Sequence, residues 1–273
     1  MSALPPIRRA REAALSAVRL PQGWRDAARQ ILLWALIYTL YETVRGLTQG
    51  KAGLAFANGQ AVIDIERATG TFFEPAVQSW FLDHRWLMDV FNWGYMNVHF
   101  VVTTAFLAWL YLRRNASFYF VRNMFMAAMG MALVIHALLP TAPPRLFHGE
   151  GFVDTIQRFA HVNQDSGAIN ALVNSYAAVP SMHCGFALMV GITAIALSRR
   201  RVFKLMWACY PLLVLFLVVV TANHFWVDGL AGAAVAAVAA LVARGPLARL
   251  RPQVWAWRVA PRDDEVIEAP LHI

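Results

Sequence analysis

The sequence predicts an all-α fold, a polytopic membrane protein formed as a six-transmembrane-helix bundle with short amphipathic extracytoplasmic helices. Three observations predict it. Hydrophobic residues make up 59% of the 273-residue chain and charged residues only 15%, with a mean hydropathy of +0.47, too apolar for an ordinary soluble domain. Apolar stretches long enough to cross a bilayer recur along the chain. The 24 lysines and arginines fall in short runs between those stretches. A net charge of +8 alone would suggest nucleic acid, but basic residues that bind nucleic acid share one face. Membrane topology accounts for them instead, and no nucleic acid partner is expected. Cys184 and Cys209 lie inside apolar segments without CxxC spacing, which indicates neither a disulfide framework nor a thiolate metal site.

In chain order, residues 1–26 carry Arg8, Arg9, Arg11, Arg19 and Arg25 and read as a basic cytoplasmic tail. No small-residue cleavage site follows the first apolar run, so that run, 27–47, reads as an uncleaved first span. Its Glu42 and Arg45 stand three apart on one face, as a mutual ion pair or as functional groups. Residues 46–85 are too polar to span, and the patterns at 61–69 and 74–82 read as helices lying at the bilayer surface. The second span, 86–112, holds Asn92, Asn97 and His99, side chains suited to bonding neighbouring helices. The third, 118–139, holds Arg122, expected to snorkel toward the inner face. A long loop, 140–179, leads to spans at 180–198, 202–221 and 225–242, the last rich in alanine and glycine for close packing.

This arrangement puts 18 of the 24 basic residues on one side and six on the other, which orients both termini to the cytoplasm. Residues 27–243 form a membrane catalytic domain, and 244–273 form a cytoplasmic tail whose acidic end, without apolar pattern, is expected to be disordered. The expected location is the cell (plasma) membrane.

Three stretches then face the same, extracytoplasmic side. Arg145 follows the third span, Val179-Pro180-Ser181-Met182-His183 opens the fourth, and His224 opens the sixth. Proline suits a first helical position, and the free N–H groups of the first turn attract an anion; Ser181 also suits an N-cap. Asp228, four residues after His224, sits one turn along the same face, where its carboxylate accepts from an imidazole N–H and frees the other nitrogen to attack. Together these supply charge neutralisation, a nucleophile, an orienter and a proton donor for phosphoryl chemistry. His183 and His224 lack metal-ligand spacing. His136, two turns before Arg145, is a further candidate.

At these residues the chain resembles the type 2 phosphatidic acid phosphatase superfamily, whose second and third motifs read Pro-Ser-x-His and His-x-x-x-Asp. Pro180-Ser181-Met182-His183 and His224-Phe225-Trp226-Val227-Asp228 match them, and the resemblance covers roughly 86–242. The phosphomonoesterase branch has a lysine seven residues before the first-motif arginine and an arginine six before the third-motif histidine; here those positions are Leu138 and Val218. Pro140-Thr141-Ala142-Pro143-Pro144 is similar to the first motif of inositol phosphorylceramide synthases, the inositolphosphotransferase branch, though Arg145 follows. Glu66, Tyr95 and His99 are similar to that branch's upstream pattern.

The resemblance implies catalysis by His224, His183 and Asp228, phosphate binding by Arg145 and Ser181, secondary roles for His136, Glu66, Tyr95 and His99, and no metal cofactor. A diester carries one charge where a monoester carries close to two, so a site with fewer cations suits a diester donor. The expected partners are membrane lipids, a lipid phosphate donor and a hydroxyl or water acceptor. The expected reaction is transfer of a phosphoinositol-type headgroup through a phosphohistidine. With water as acceptor the same residues make a lipid phosphate phosphatase. A transporter or non-catalytic scaffold is the reading from another class, without the inverted repeats and broken helices of transporters.

Overall fold

The structure is a computed structural model that describes residues 20–46, 51–160, 176–247 and 249. Its helices are α1 (Gly23–Gly46), α2 (Ala52–Ala68), α3 (Glu74–Leu82), α4 (Arg85–Arg113), α5 (Asn115–Leu138), α6 (Thr155–Ala160), α7 (Met182–Leu197), α8 (Arg201–Val220) and α9 (Trp226–Val242), the last extended by a π turn, Ala243–Leu247. Four are long and apolar enough to cross a membrane: α4, α5, α8 and α9 with its extension. α7, at 16 residues, is shorter, and the 24-residue α1 carries Arg25, Asp26, Arg29, Glu42 and Arg45. The protein is thus a helical integral membrane protein, with four candidate spans among the described residues.

The bundle is built around α7, which packs between α8 and α9, while α9 also lies on α5 and α1 lies on the far side of α5. Glycines set the closest of these approaches. A Cβ on Gly232 would lie 2.1 Å from the Ser181 carbonyl oxygen, and one on Gly185 2.9 Å from the Gly232 carbonyl oxygen. Only a residue without a side chain fits there. The result is a backbone clasp, Ser181 N donating to the Asp228 carbonyl at 2.9 Å, which fixes the start of α7 against the start of α9. Outward faces carry large apolar residues, Val202, Leu205 and Leu212 on α8 and Leu230 and Leu241 on α9, as lipid contact requires.

Several sequence expectations move. α1 begins a turn before the apolar run because Asp26, placed in the tail, is a buried acceptor: Tyr111 Oη donates at 3.0 Å, Tyr119 Oη at 2.9 Å and Gln30 Nε2 at 3.0 Å. Arg122 does not snorkel. It is 1% exposed, its Nη1 donating to Gln30 at 2.8 Å and its Nη2 to Asn123 at 2.7 Å. Glycine's low helix propensity hides the first half of α2, where Gly59 is needed because a Cβ would lie 2.6 Å from the Phe147 ring. Pro180 precedes the cap instead of opening the helix: Ser181 is the N-cap and Met182 the first helical residue. The side chains of Glu42 and Arg45 lie outside the described residues, as do 1–19 and the end of the C-terminal tail.

Asn92 bonds across elements as expected, to the Thr155 carbonyl and hydroxyl at 3.1 and 2.8 Å. Asn97 bonds only along its own helix, to the Trp93 carbonyl, because position 97 faces away from α6.

Candidate active site

The site lies at the end of the bundle where α5 exits and α7 and α9 begin. Each motif is held by backbone bonds to another. Arg145 N donates to the Ala222 carbonyl at 2.8 Å, Ala178 N to the Thr141 carbonyl at 3.1 Å, and Ser181 N to Asp228. Ala222 has a φ of 54°, a left-handed backbone that costs a non-glycine residue about 1–3 kcal/mol. That turn aims the Ala222 carbonyl at the Arg145 N–H.

His224 precedes α9, with Phe225 as N-cap and Asp228 in the first turn, where its Oδ2 accepts from Phe225 N at 2.9 Å. The same Oδ2 lies 3.4 Å from His224 Nδ1. A shorter contact, 2.9 Å, joins Nδ1 to the Ala178 carbonyl. A carbonyl only accepts, so Nδ1 carries the proton and Nε2 keeps its lone pair. The orienter expected from spacing alone, Asp228, thus shares that task with a backbone oxygen that no side-chain motif encodes. Burial, opposed by the Ala178 carbonyl and assisted by the Arg145 charge, lowers the His224 imidazole to about 4. It is therefore neutral near pH 7.

His183 stands beside it, ring centroids 5.5 Å apart, stacks on Tyr95 at 4.8 Å and meets the His99 ring at a tilt of 54° with centroids 4.8 Å apart. His99 in turn stacks on Phe186, and its Nδ1 is buried without a hydrogen-bond partner. The upstream pair Tyr95 and His99 therefore forms the wall behind His183. Ser181 Oγ accepts from Cys184 N at 3.5 Å, a weak cap. His136 Nε2 lies 3.3 Å from the Pro180 carbonyl, bracing the turn that presents Ser181. Cys184 and Cys209 are both free. Among the described residues no group of three or more His, Cys, Asp or Glu is arranged to hold a metal ion.

Glu66, also expected near the site, is fully buried with neither carboxyl oxygen hydrogen-bonded. Burial raises its carboxyl to about 9, helped by the adjacent Glu74 and, less, by Asp228. Glu74 caps two backbone groups, Phe73 N at 3.0 Å and Trp226 N at 3.1 Å. α3 thereby grips the start of α9, two residues after His224. α2 holds the first motif, through Asn58 Nδ2 to the Pro140 carbonyl at 2.7 Å and Ala142 N to the Ala55 carbonyl at 2.9 Å. Over this, Phe147, Phe152 and Phe225 form a second apolar cluster with Ile63 and Ala142.

Two functional neighbours escaped sequence reasoning. Asp154 Oδ2 lies 3.3 Å from Arg145 Nε, both side chains buried. Its other oxygen accepts from Gln157 N at 2.8 Å, so Asp-Thr-Ile-Gln was readable as a helix cap but not as an arginine partner. Glu74 was readable as a first-turn acid, yet its target, the N–H of Trp226, is 152 residues away.

The site therefore joins a neutral histidine with a free nitrogen, a second histidine, a buried arginine and a capping serine. Residues 60–242, two thirds of the chain, match the family model of the PAP2 superfamily. No curated protein and no solved structure matches the chain. With the motif residues gathered at one end of the helical bundle, the protein is an enzyme of the phosphatase and phosphotransferase type and belongs to the PAP2 superfamily.

Proposed function

We propose that the protein is an integral membrane phosphotransferase that moves a phosphoinositol-type headgroup from a lipid donor to a lipid or glycolipid hydroxyl. His224 Nε2 attacks phosphorus in line, and the bond from phosphorus to the departing alkoxide breaks. His183 gives that alkoxide a proton. Arg145 and Ser181 bind the non-bridging oxygens. His183 then takes the proton of the acceptor hydroxyl, whose oxygen attacks phosphorus and releases His224. Asp228 and the Ala178 carbonyl hold Nδ1–H throughout. Six spans, with α1 and α7 added to the four apolar ones, both termini in the cytoplasm and the site at the extracytoplasmic face of the plasma membrane, complete the reading; the 18-to-6 split of basic residues supports it.

The observation that carries the diester preference is charge. Arg145 is ion-paired with Asp154, and Leu138 and Val218 stand where the phosphomonoesterase branch has cations. A singly charged diester suits that balance better than a dianion. The cover of α2, α3 and the 147–152 segment favours an acceptor other than water, because water at bulk concentration competes for the phosphohistidine. Lipid phosphate hydrolysis is the second reading, favoured by the fact that every residue up to the phosphohistidine is common to both. The test is product analysis with a labelled phosphoinositide and, separately, a lipid phosphomonoester, each with and without lipid alcohols. Headgroup transfer from the diester supports the proposal. An untouched diester, with free phosphate released from the monoester at a rate indifferent to alcohols, replaces it with the phosphatase.

A further inference from the structure

Three consecutive residues at the entry to α6 are each held by a different part of the molecule. Val153 is bracketed by the side-chain amide of Gln78 on α3: Gln78 Nε2 donates to the Val153 carbonyl and Val153 N donates to Gln78 Oε1, both at 2.9 Å. Thr155 is bracketed by Asn92 on α4, which donates to its carbonyl at 3.1 Å and accepts from its hydroxyl at 2.8 Å. Between them, Asp154 Oδ1 accepts from Gln157 N at 2.8 Å and Oδ2 lies 3.3 Å from Arg145 Nε. Gln78 and Thr155 are fully buried, and Asn92 and Asp154 nearly so. A buried amide is costly unless its hydrogen bonds are made. Here two of them fix the neighbours of a single carboxylate, and that carboxylate faces the first-motif arginine.

A helix cap alone does not require a charge at this place, since asparagine or serine caps as well as aspartate. The negative charge has its consequence at the Arg145 end. Arg145 is buried, and its charge is felt at His224, whose imidazole it helps to depress. The ion pair therefore stands within electrostatic range of the nucleophile. A carboxylate there offsets the arginine and repels an arriving phosphate in proportion to the charge that phosphate brings. A phosphomonoester above its second pKa of about 6 brings close to two charges, and a diester brings one. With Val153 and Thr155 both fixed, Asp154 stays beside Arg145 when an anion enters. We propose that Asp154, clamped through Gln78 and Asn92, is a specificity-determining residue that admits a singly charged phosphate ester to Arg145 and disfavours a doubly charged one, an assignment that rests on the phosphotransfer reading above.

The test compares the full-length protein in detergent with Asp154→Asn and Asp154→Ser, both of which keep a cap for α6 and remove the charge. The readout is the ratio of kcat/KM for phosphatidic acid to kcat/KM for phosphatidylinositol, the second measured with a lipid alcohol as acceptor. A less well aimed Arg145 lowers turnover of both esters alike and cancels in the ratio, whereas loss of the repelling charge does not. The ratio is expected to rise about tenfold in both variants. In parallel, monobutyl phosphate, a dianion at about pH 8, is expected to bind the variants about tenfold more tightly than the parent, read from the concentration that raises Tm, with dibutyl phosphate changed less. If the ratio and the monobutyl phosphate affinity both stay at the parent's values in folded variants, the proposal is overturned and Asp154 is a helix cap alone. Tighter monobutyl phosphate binding by the variants, with neither lipid turned over by the parent, supports the role of Asp154 and overturns the phosphotransfer reading.

Discussion

The two ends of the bundle bury polar groups in opposite ways. At the end away from the site, Asp26, Gln30, Tyr111, Tyr119, Arg122 and Asn123 form a network tying α1 to α4 and α5, and none of these side chains has a buried atom without a partner. At the site end, Asp228 Oδ1, His99 Nδ1 and both oxygens of Glu66 are buried without hydrogen bonds. Unmet hydrogen-bonding capacity is costly, so a fold that keeps it does so where a substrate or proton will use it. The closed network is a staple; the open one is the candidate site.

Breaking the open end is expected to give the largest effect. His224→Ala abolishes turnover, and Asp228→Asn lowers kcat by about 10³-fold, with helicity by circular dichroism unchanged in both. Recovery of acid-labile phosphate on His183 in place of His224 would overturn the assignment of the nucleophile. The closed end behaves in the reverse sense. Asp26→Ala strips the acceptor from two tyrosines and removes a buried charge near Arg122, costing about 3–5 kcal/mol, read as a lower Tm in detergent. The kcat of the folded fraction stays unchanged. A fall in kcat at constant Tm would place the network in the chemistry and erase the contrast.

Acid sharpens the comparison. His224 is depressed from its ordinary value of 6.5 to about 4, so the unfolded chain takes up a proton that the folded chain refuses. Its stabilising contribution is whole above pH 6.5 and is lost as pH falls toward 4, about 3 kcal/mol in all. A His224→Gln variant removes that limb, and the two melting curves should converge between pH 6.5 and 4. Parallel curves would mean that His224 is already charged in the fold.

The helices and the motif residues were legible because each rests on local signals. Apolar runs marked α4, α5, α8 and α9, and Pro-Ser-x-His and His-x-x-x-Asp marked the family. What brings them together was not legible. The Ser181 to Asp228 clasp depends on Gly185 and Gly232, which read in sequence as generic packing glycines. The Ala178 carbonyl that fixes the His224 tautomer is a backbone atom any residue could supply. Asp26 fell in the tail and Arg122 was expected to snorkel because their partners lie about 85–93 residues away. Long-range pairing of polar groups inside an apolar bundle leaves no periodicity to read.

A further expected effect concerns Glu66, which lies between the two behaviours, buried like the staple but unpaired like the site. Its carboxyl is held up at about 9 against an ordinary value of 4.5, so the folded protein keeps a proton that the unfolded chain releases. Stability from this group is complete below pH 4.5 and declines as pH rises through about 9, the unfolded state binding fewer protons. Glu66→Gln keeps a neutral side chain of the same shape and has no proton to lose. Its Tm should equal or exceed that of the parent, by a margin that widens from about pH 6 to pH 9. If Glu66→Gln instead lowers Tm by a constant amount across that range, Glu66 is ionised in the fold. Glu74 and Asp228 would then face a second negative charge at the start of α9, and the site's preference for a singly charged donor would have a different origin.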